Sequence, residues 1–298
     1  MKIVILILSS NTYPSKRNKN IINTTWGKGN TDLTQIYFYQ SDIKNELNQN
    51  ILSIKDSGTA QDIGYKTLKA FEWVKSNVDF DYVFRTNTSS YVNVTNLEKY
   101  IQEECSEDDL LYRGILHERK YKSTTSNFAY VNGAGVLMNK KVIDLVLSQK
   151  EQWDHTEWDD VALGKLLFEN GVTPSVGKRY TIINNFYNNN IDSKNYHVRC
   201  RLDQDSKYPR YLETIVLKDL YNHFEKGNNI ESHFFKKYLF YIAKLFYLDK
   251  PGWKLYNLSF KLLKTMLPKS LYDKLRKFKS QKLYGYVLKY YQKDEKEE

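Results

Sequence analysis

Two adjacent carboxylates, Asp159 and Asp160, open an apolar run and follow an aromatic residue, Trp158. Carboxylates in that place have two uses. At a helix start they answer the exposed N–H groups of the first turn. Beside a ligand, one of them can take a proton from a hydroxyl as a general base. Trp158 is open to two readings as well, a core ring or a flat face for stacking on a sugar. The second cluster is Tyr196-His197-Val198-Arg199-Cys200-Arg201. Read as a strand, it puts His197, Arg199 and Arg201 on one face. Guanidinium groups stay charged and pair bidentately with phosphate, so an anionic ligand fits there; a solvated edge strand is the plainer reading. Arg85 closes the apolar run Tyr82-Val83-Phe84, and Ser9 and Ser10 close the first apolar run, with Arg17 soon after. Gly133 and Gly135 either let backbone approach a ligand or form an ordinary tight turn.

These residues need a frame. Residues 2–8, 35–40, 51–54, 81–85 and 110–116 read as strands, and 128–131 leads into a Gly133–Gly135 turn followed by a strand or helix start. Residues 60–76, 94–104, 139–149, 159–169 and 212–224 read as helices, the fourth of them stopped by Asn170-Gly171. Alternating strands and helices predict an α/β fold, a Rossmann-type, mostly parallel sheet sandwiched by helices. Ligands then bind beyond the carboxyl ends of strands, here Ser9-Ser10, Arg85 to Ser90 and the glycine turn. There is no internal repeat, no P-loop and no G-x-G-x-x-G after the first strand.

The chain of 298 residues carries a net charge of +10, unevenly placed. Residues 231–298 hold a net +9, leaving +1 for the first 230. That shift divides the chain into a catalytic-sized domain, 1–230, and a basic helical tail, 231–298. Apolar and aromatic residues in the tail, such as Phe234, Tyr238, Ile242 and Leu245, repeat at helical spacing beside Lys236, Lys237 and Lys244. Basic amphipathic helices of this kind suit an anionic membrane surface, or else pack on a partner domain. The tail has no nucleic-acid-binding pattern, so no nucleic acid is expected. No stretch of about 18 apolar residues is present, and the first apolar run is too short for a leader. With two cysteines and no metal-type cysteine spacing, a reducing compartment is expected. The Lys, Asn, Ile and Tyr bias points to an AT-rich, bacterial genome.

Four segments in order resemble the beta-1,3-galactosyltransferase and Fringe type of inverting glycosyltransferase. They are Lys16-Arg17 with Ile21 to Gly27 (family I-R-x-T-W-G); Gly64 to Lys69 with Asp81 to Asn93 (Y-V-x-K-T-D-D-D-x-Y-V-N); Tyr130 to Leu137 (G-G-A-G); and Trp158 to Gly164 (E-D-V-x-x-G). The resemblance covers about residues 1–200. It implies a GT-A fold and inverting transfer of a hexose or N-acetylhexosamine from a nucleotide diphosphate sugar, UDP-linked, to a glycan acceptor. It makes Asp160 the base, with Asp159 second, and Trp158 an acceptor contact. Around the donor it sets His197, the match to a family histidine, and Asn87 and Ser89, which fall on the family's aspartates; Ser9, Ser10, Arg17, Arg85, Gly133, Gly135, Arg199 and Arg201 join them by their places at strand ends or by their charge. Bacterial surface polysaccharide assembly on a lipid-linked acceptor, at the cytoplasmic face of the cell membrane, follows from family and tail together.

One motif departs from the family. Its three aspartates, the last of which holds Mn²⁺ or Mg²⁺ on the donor diphosphate, are replaced here by Asn87, Thr88 and Ser89. Such cations want carboxylate oxygens. Either basic side chains offset the diphosphate without a metal, or the chain is a non-catalytic glycan- or nucleotide-binding relative.

Overall fold

A computed structural model describes residues 1–56, 62–105, 110–120, 127–182, 191–205 and 210–226. The chain divides into two compact units, Met1–Ser206 with Arg210–Glu231, and Lys207–Pro209 with Ser232–Glu298. The second unit, and with it the basic tail expected at 231–298, lies outside the described residues.

The elements follow in order as β1 (Ile3–Leu8), α1 (Ser15–Thr24), β2 (Thr34–Asp42), β3 (Glu46–Asn48), β4 (Ile51–Lys55), α2 (Ile63–Asn77), β5 (Tyr82–Asn87) and β6 (Ser90–Val92). Then come α3 (Val94–Glu104), β7 (Tyr112–Lys120), β8 (Asn127–Asn139), α4 (Lys140–Ser148), α5 (Asp159–Glu169), β9 (Ser175–Val176), β10 (Tyr180–Thr181), β11 (His197–Arg199), α6 (Leu202–Asp205) and α7 (Glu213–Lys226). β1 reads IVILIL and is buried almost throughout. A continuous apolar run of this kind belongs to a strand covered on both faces.

The main sheet has the order β3-β4-β2-β1-β5-β8-β7-β9. β4, β2, β1 and β5 run parallel. β8 is antiparallel to both β5 and β7, and β9 is parallel to β7. This is the mixed, mostly parallel α/β sheet expected. A second sheet, β10-β11-β6, joins the segment after β5 to the segment around His197. From β1 the chain first steps to one side, β2, and later to the other, β5. The switch point therefore lies at the carboxyl ends of β1 and β5, where open α/β sheets leave a crevice for ligands.

Local chemistry explains most boundaries. The Asn93 side chain accepts from Asn96 N, and the Asn139 side chain from Val142 N, capping α3 and α4. α5 ends at Gly171, whose φ of 77° is left-handed backbone that glycine adopts freely. α2, α4 and α5 pack onto one core with Val4, Leu6, Tyr39, Val83 and Met138 of the sheet. One expectation is corrected: Gly133–Gly135 make no turn but lie inside the single long strand β8. Gly135 pairs with Thr86 of β5. Their small size answers crowding from neighbouring side chains rather than a need to bend. Among the described residues no helix is long and apolar enough to cross a membrane.

Candidate active site

At the carboxyl end of β1, Ser9 N donates to Tyr39 O at 2.9 Å, and its buried Oγ lies 3.4 Å from Gln40 Oε1. Ser10 N donates to Ser15 Oγ at 2.8 Å, so the loop after β1 is tied to the start of α1. Arg17 stands exposed on α1. The buried basic residue of that helix is Lys19, whose Nζ donates to Gln40 Oε1 at 2.5 Å and Asn11 Oδ1 at 3.1 Å. Burial, and then Lys16, lower its pKa. The sequence reading passed over Lys19 because a lysine between two asparagines in a polar helix looks like surface.

The turn between β5 and β6 occupies the family's metal position. Asn87 Oδ1 accepts from Ser89 N at 3.0 Å, and Thr88 Oγ1 meets Ser15 Oγ at 3.0 Å. Ser89 is buried. Its Oγ donates to Glu213 Oε2 at 3.0 Å and accepts from Arg210 Nη2 at 2.6 Å. Glu213, with no exposure, also accepts from Asn18 Nδ2 at 2.6 Å and from Arg210 Nε at 2.9 Å. The turn thus offers one amide and two hydroxyls, all engaged, and the neighbouring carboxylate is closed by an arginine. That donor set does not fit a hard divalent cation.

The carboxylate pair sits in the first turn of α5, where the helix dipole favours negative charge. Its two members have different surroundings. Asp159 Oδ2 accepts from Arg85 Nη2 and, at 3.3 Å, from Thr67 Oγ1. Arg85 is buried; its Nε donates to Tyr39 Oη at 2.9 Å and its Nη1 to Gly133 O. Burial lowers the Arg85 pKa, but the Asp159 carboxylate and Tyr39 raise it overall; burial raises that of Asp159 against the opposing pull of Arg85. Arg85, expected at the donor, is thus committed to Asp159 and to β8. Asp160 instead accepts from Gly133 N at 2.8 Å through Oδ2 and from Val161 N at 3.0 Å through Oδ1. Among the described residues it forms no ion pair, and it is only half-buried. A Cβ on Gly133 would fall 2.5 Å from Arg85 Nη1 and 3.2 Å from Asp160 Cβ. No larger residue fits between arginine and carboxylate. Trp158, at the helix N-cap, is 59% exposed beside them.

His197 is buried under the glycines of β8. Its Nε2 lies 3.2 Å from Ser90 Oγ, and a Cβ on Gly135 would come within 2.3 Å of its ring. Burial, then Arg179 and Arg199, hold its pKa well below the usual value, so the imidazole is neutral. Strand pairing brings His197 and Arg199 together as expected, but β11 ends at Arg199. Arg201 lies past the strand, with Nε donating to Asp203 Oδ1 at 3.0 Å. Arg199 Nη1 instead reaches Asn132 Oδ1 at 3.4 Å, where it meets Arg179 Nη1 at 2.9 Å. No local motif marked Arg179, Arg210 or Glu213, and Asn132, although inside the Tyr130 to Leu137 segment, was given no role. Their partners lie up to 195 residues away, as in the Asn18–Glu213 bond.

Residues 17–176 match the family model described as galactosyltransferase, more than half of the chain. Similar solved structures include a glycosyltransferase involved in the glycosylation of the major capsid of PBCV-1. It is 12% identical with a TM-score of 0.44, over 73% of this chain and 99% of that one. Another is the glycosyltransferase GlyE of Streptococcus pneumoniae TIGR4, 14% identical with a TM-score of 0.32, over 60% of this chain and 45% of that one. No curated protein matches the chain. The matched stretch carries the Asn87–Ser89 turn, Gly133 and the Asp159–Asp160 pair, and the chain that places them on one sheet edge belongs to the galactosyltransferase family of glycosyltransferases.

Proposed function

We propose that this protein transfers a hexose or N-acetylhexosamine from a nucleoside diphosphate sugar, UDP-linked, to a hydroxyl of a glycan, with inversion at the anomeric carbon. The observation that carries this reading is the division of labour in the carboxylate pair. Asp159 is held by Arg85, whereas Asp160 has no cation among the described residues and keeps lone pairs for a proton. Asp160 takes the proton of the acceptor hydroxyl. The acceptor oxygen bonds to the anomeric carbon, the bond from that carbon to the phosphate oxygen breaks, and nucleoside diphosphate leaves. Arg85 and Gly133 act as positioning residues, fixing α5 against β8. Trp158 offers its exposed face to the acceptor sugar. Ser9, Ser10 and Lys19 line the nucleoside side of the switch point, with Asn87 at its edge.

The basic aromatic sequence of 231–298 supports an acceptor carried on an anionic membrane leaflet, in bacterial surface polysaccharide assembly at the cytoplasmic face. Each Lys or Arg near such a surface contributes about 1 kcal/mol. Flotation with phosphatidylglycerol vesicles, but not phosphatidylcholine vesicles, is the expected result, lost when the chain is cut after residue 230.

The transfer reading is tested by incubating the full chain with UDP-, GDP- and CDP-sugars and soluble oligosaccharide acceptors. The expected outcome is product whose anomeric configuration, read by NMR, is opposite to that of the donor. Retained configuration would refute the base role of Asp160. Absent turnover with every donor, together with glycan binding, would favour the non-catalytic reading that the changed metal motif raises.

A further inference from the structure

A transferase of this kind must tell one nucleotide from another, and bases differ in the donors and acceptors along one edge. We propose that Lys19 and Asn11 read the nucleobase of the donor, accepting a keto–imide edge, as in uracil or guanine, and rejecting an amino edge, as in cytosine or adenine. The inference rests on the transferase reading above and names the residues that choose the nucleotide.

Three observations support this. First, Lys19 is a buried cation with no ion pair among the described residues. It is 6% exposed, and its Nζ donates to two neutral oxygens, Gln40 Oε1 at 2.5 Å and Asn11 Oδ1 at 3.1 Å. Asp42 acts on it only through space, its carboxylate accepting from Ile43 N at 2.8 Å and Ser53 Oγ at 3.0 Å. An ammonium has three N–H groups, so one remains for a ligand. Burying such a charge is costly unless something completes it.

Second, the oxygens beside that N–H suit a neutral base rather than a phosphate. Among the described residues Asn11 Oδ1 accepts one bond, from Lys19, and keeps a lone pair. Gln40 Oε1 also lies 3.4 Å from Ser9 Oγ, so both its lone pairs are taken. Phosphate oxygens brought to Lys19 would be repelled by these two. A base carbonyl with an N–H beside it needs one donor and one acceptor, which Lys19 Nζ and Asn11 Oδ1 present side by side. An amino group beside a bare ring nitrogen meets the wrong partner at both.

Third, the pair stands at one end of the crevice and the base Asp160 at the other. Asn11 is exposed in the loop after β1, and Gln40 lies near the carboxyl end of β2. Gly133, which holds Asp160, belongs to β8. The order β2-β1-β5-β8 separates the two by three strand spacings, about 14 Å. That leaves room for a ribose and a diphosphate between nucleobase and transferred sugar.

The test is calorimetric titration of the full chain with UDP, CDP, GDP and ADP, in EDTA and again in Mn²⁺. UDP should bind about tenfold or more tighter than CDP, or GDP than ADP, because an N–H set against an amino group leaves both unpaired. Methylating the imide nitrogen of the favoured base should cost a similar factor, and this arm needs no variant. Lys19→Met should lower affinity for the favoured diphosphate to that of its amino counterpart and leave the counterpart unchanged. Its melting temperature should hold, since methionine fills similar space without a buried charge. If neither keto base is favoured, or Lys19→Met keeps the preference, base readout is overturned and the transferase reading stands. The same follows if Lys19→Met weakens both diphosphates by one factor, since Lys19 would then hold the ribose or diphosphate they share. If no nucleoside diphosphate binds, the transferase reading falls, and base readout with it.

Discussion

Two arginine–carboxylate pairs flank the end of β5, and they do opposite things. Arg85–Asp159 lies before the turn, and Arg210–Glu213 grips Ser89 within it. Both bury charge that would be costly if either partner were lost. The first pair leaves a neighbour, Asp160, half-exposed and free of any cation among the described residues. The second closes over its neighbour, so that Ser89 donates to Glu213 rather than to a ligand. The same kind of bond thus aims a reactive group on one side of the strand and fills a position on the other.

The sharpest way to break that contrast is at Asp160. Asp160→Asn keeps an oxygen for Gly133 N, so the melting temperature should hold while turnover falls about 10²–10⁴-fold. Normal turnover would remove the functional half of the comparison. Next in size is Arg85→Met, which leaves Asp159 buried beside no cation. Urea denaturation should record a loss of about 3–5 kcal/mol, largely recovered when Asp159→Asn is added.

Glu213→Gln probes the other pair. Its amide still accepts from Asn18, and Arg210 is 22% exposed and can draw on water. A loss of about 1–3 kcal/mol with turnover within a few-fold of wild type is expected. A catalytic loss as large as that of Asp160→Asn would show that the two pairs are not different in kind. The smallest effect concerns His197. Its pKa is depressed in the folded chain, so its neutral form contributes stability above the unfolded value of about 6.5. That contribution is lost as pH falls below this value, at up to about 1.4 kcal/mol per pH unit. Arg179 and Arg199 are the charged groups that lower its pKa further, after burial. His197→Gln should flatten the slope between pH 6.5 and 5 in denaturant titrations.

Elements with local signals were legible in the sequence. α3 spans 94–104 and α5 spans 159–169, as their caps and periodicity indicate. β1 follows from six apolar residues in a row. β8 was harder: glycines inside a strand read as a turn until the side chains of Arg85 and His197 are seen in the space a Cβ would take. Short β3 and β6 carry too few residues for a period to appear. At the site, the Asp159–Asp160 doublet was visible, but not which member Arg85 would hold, because that depends on a contact 74 residues away. Asn18, Ser89, Arg210 and Glu213 meet only through folding, so no local spacing could announce them.

The Ser89 knot also bears on how this chain can change. Ser89→Asp would restore the motif's final carboxylate in one substitution. It would set that carboxylate against Glu213, itself fully buried, where Ser89 now donates a hydrogen bond. Two like charges at that separation resist joint ionisation. The reversal becomes tolerable only after position 213, and with it Arg210, has altered. A single-step scan would score aspartate at 89 as harmful and miss a path that needs coordinated changes at several positions, a case of sign epistasis written in one hydrogen bond.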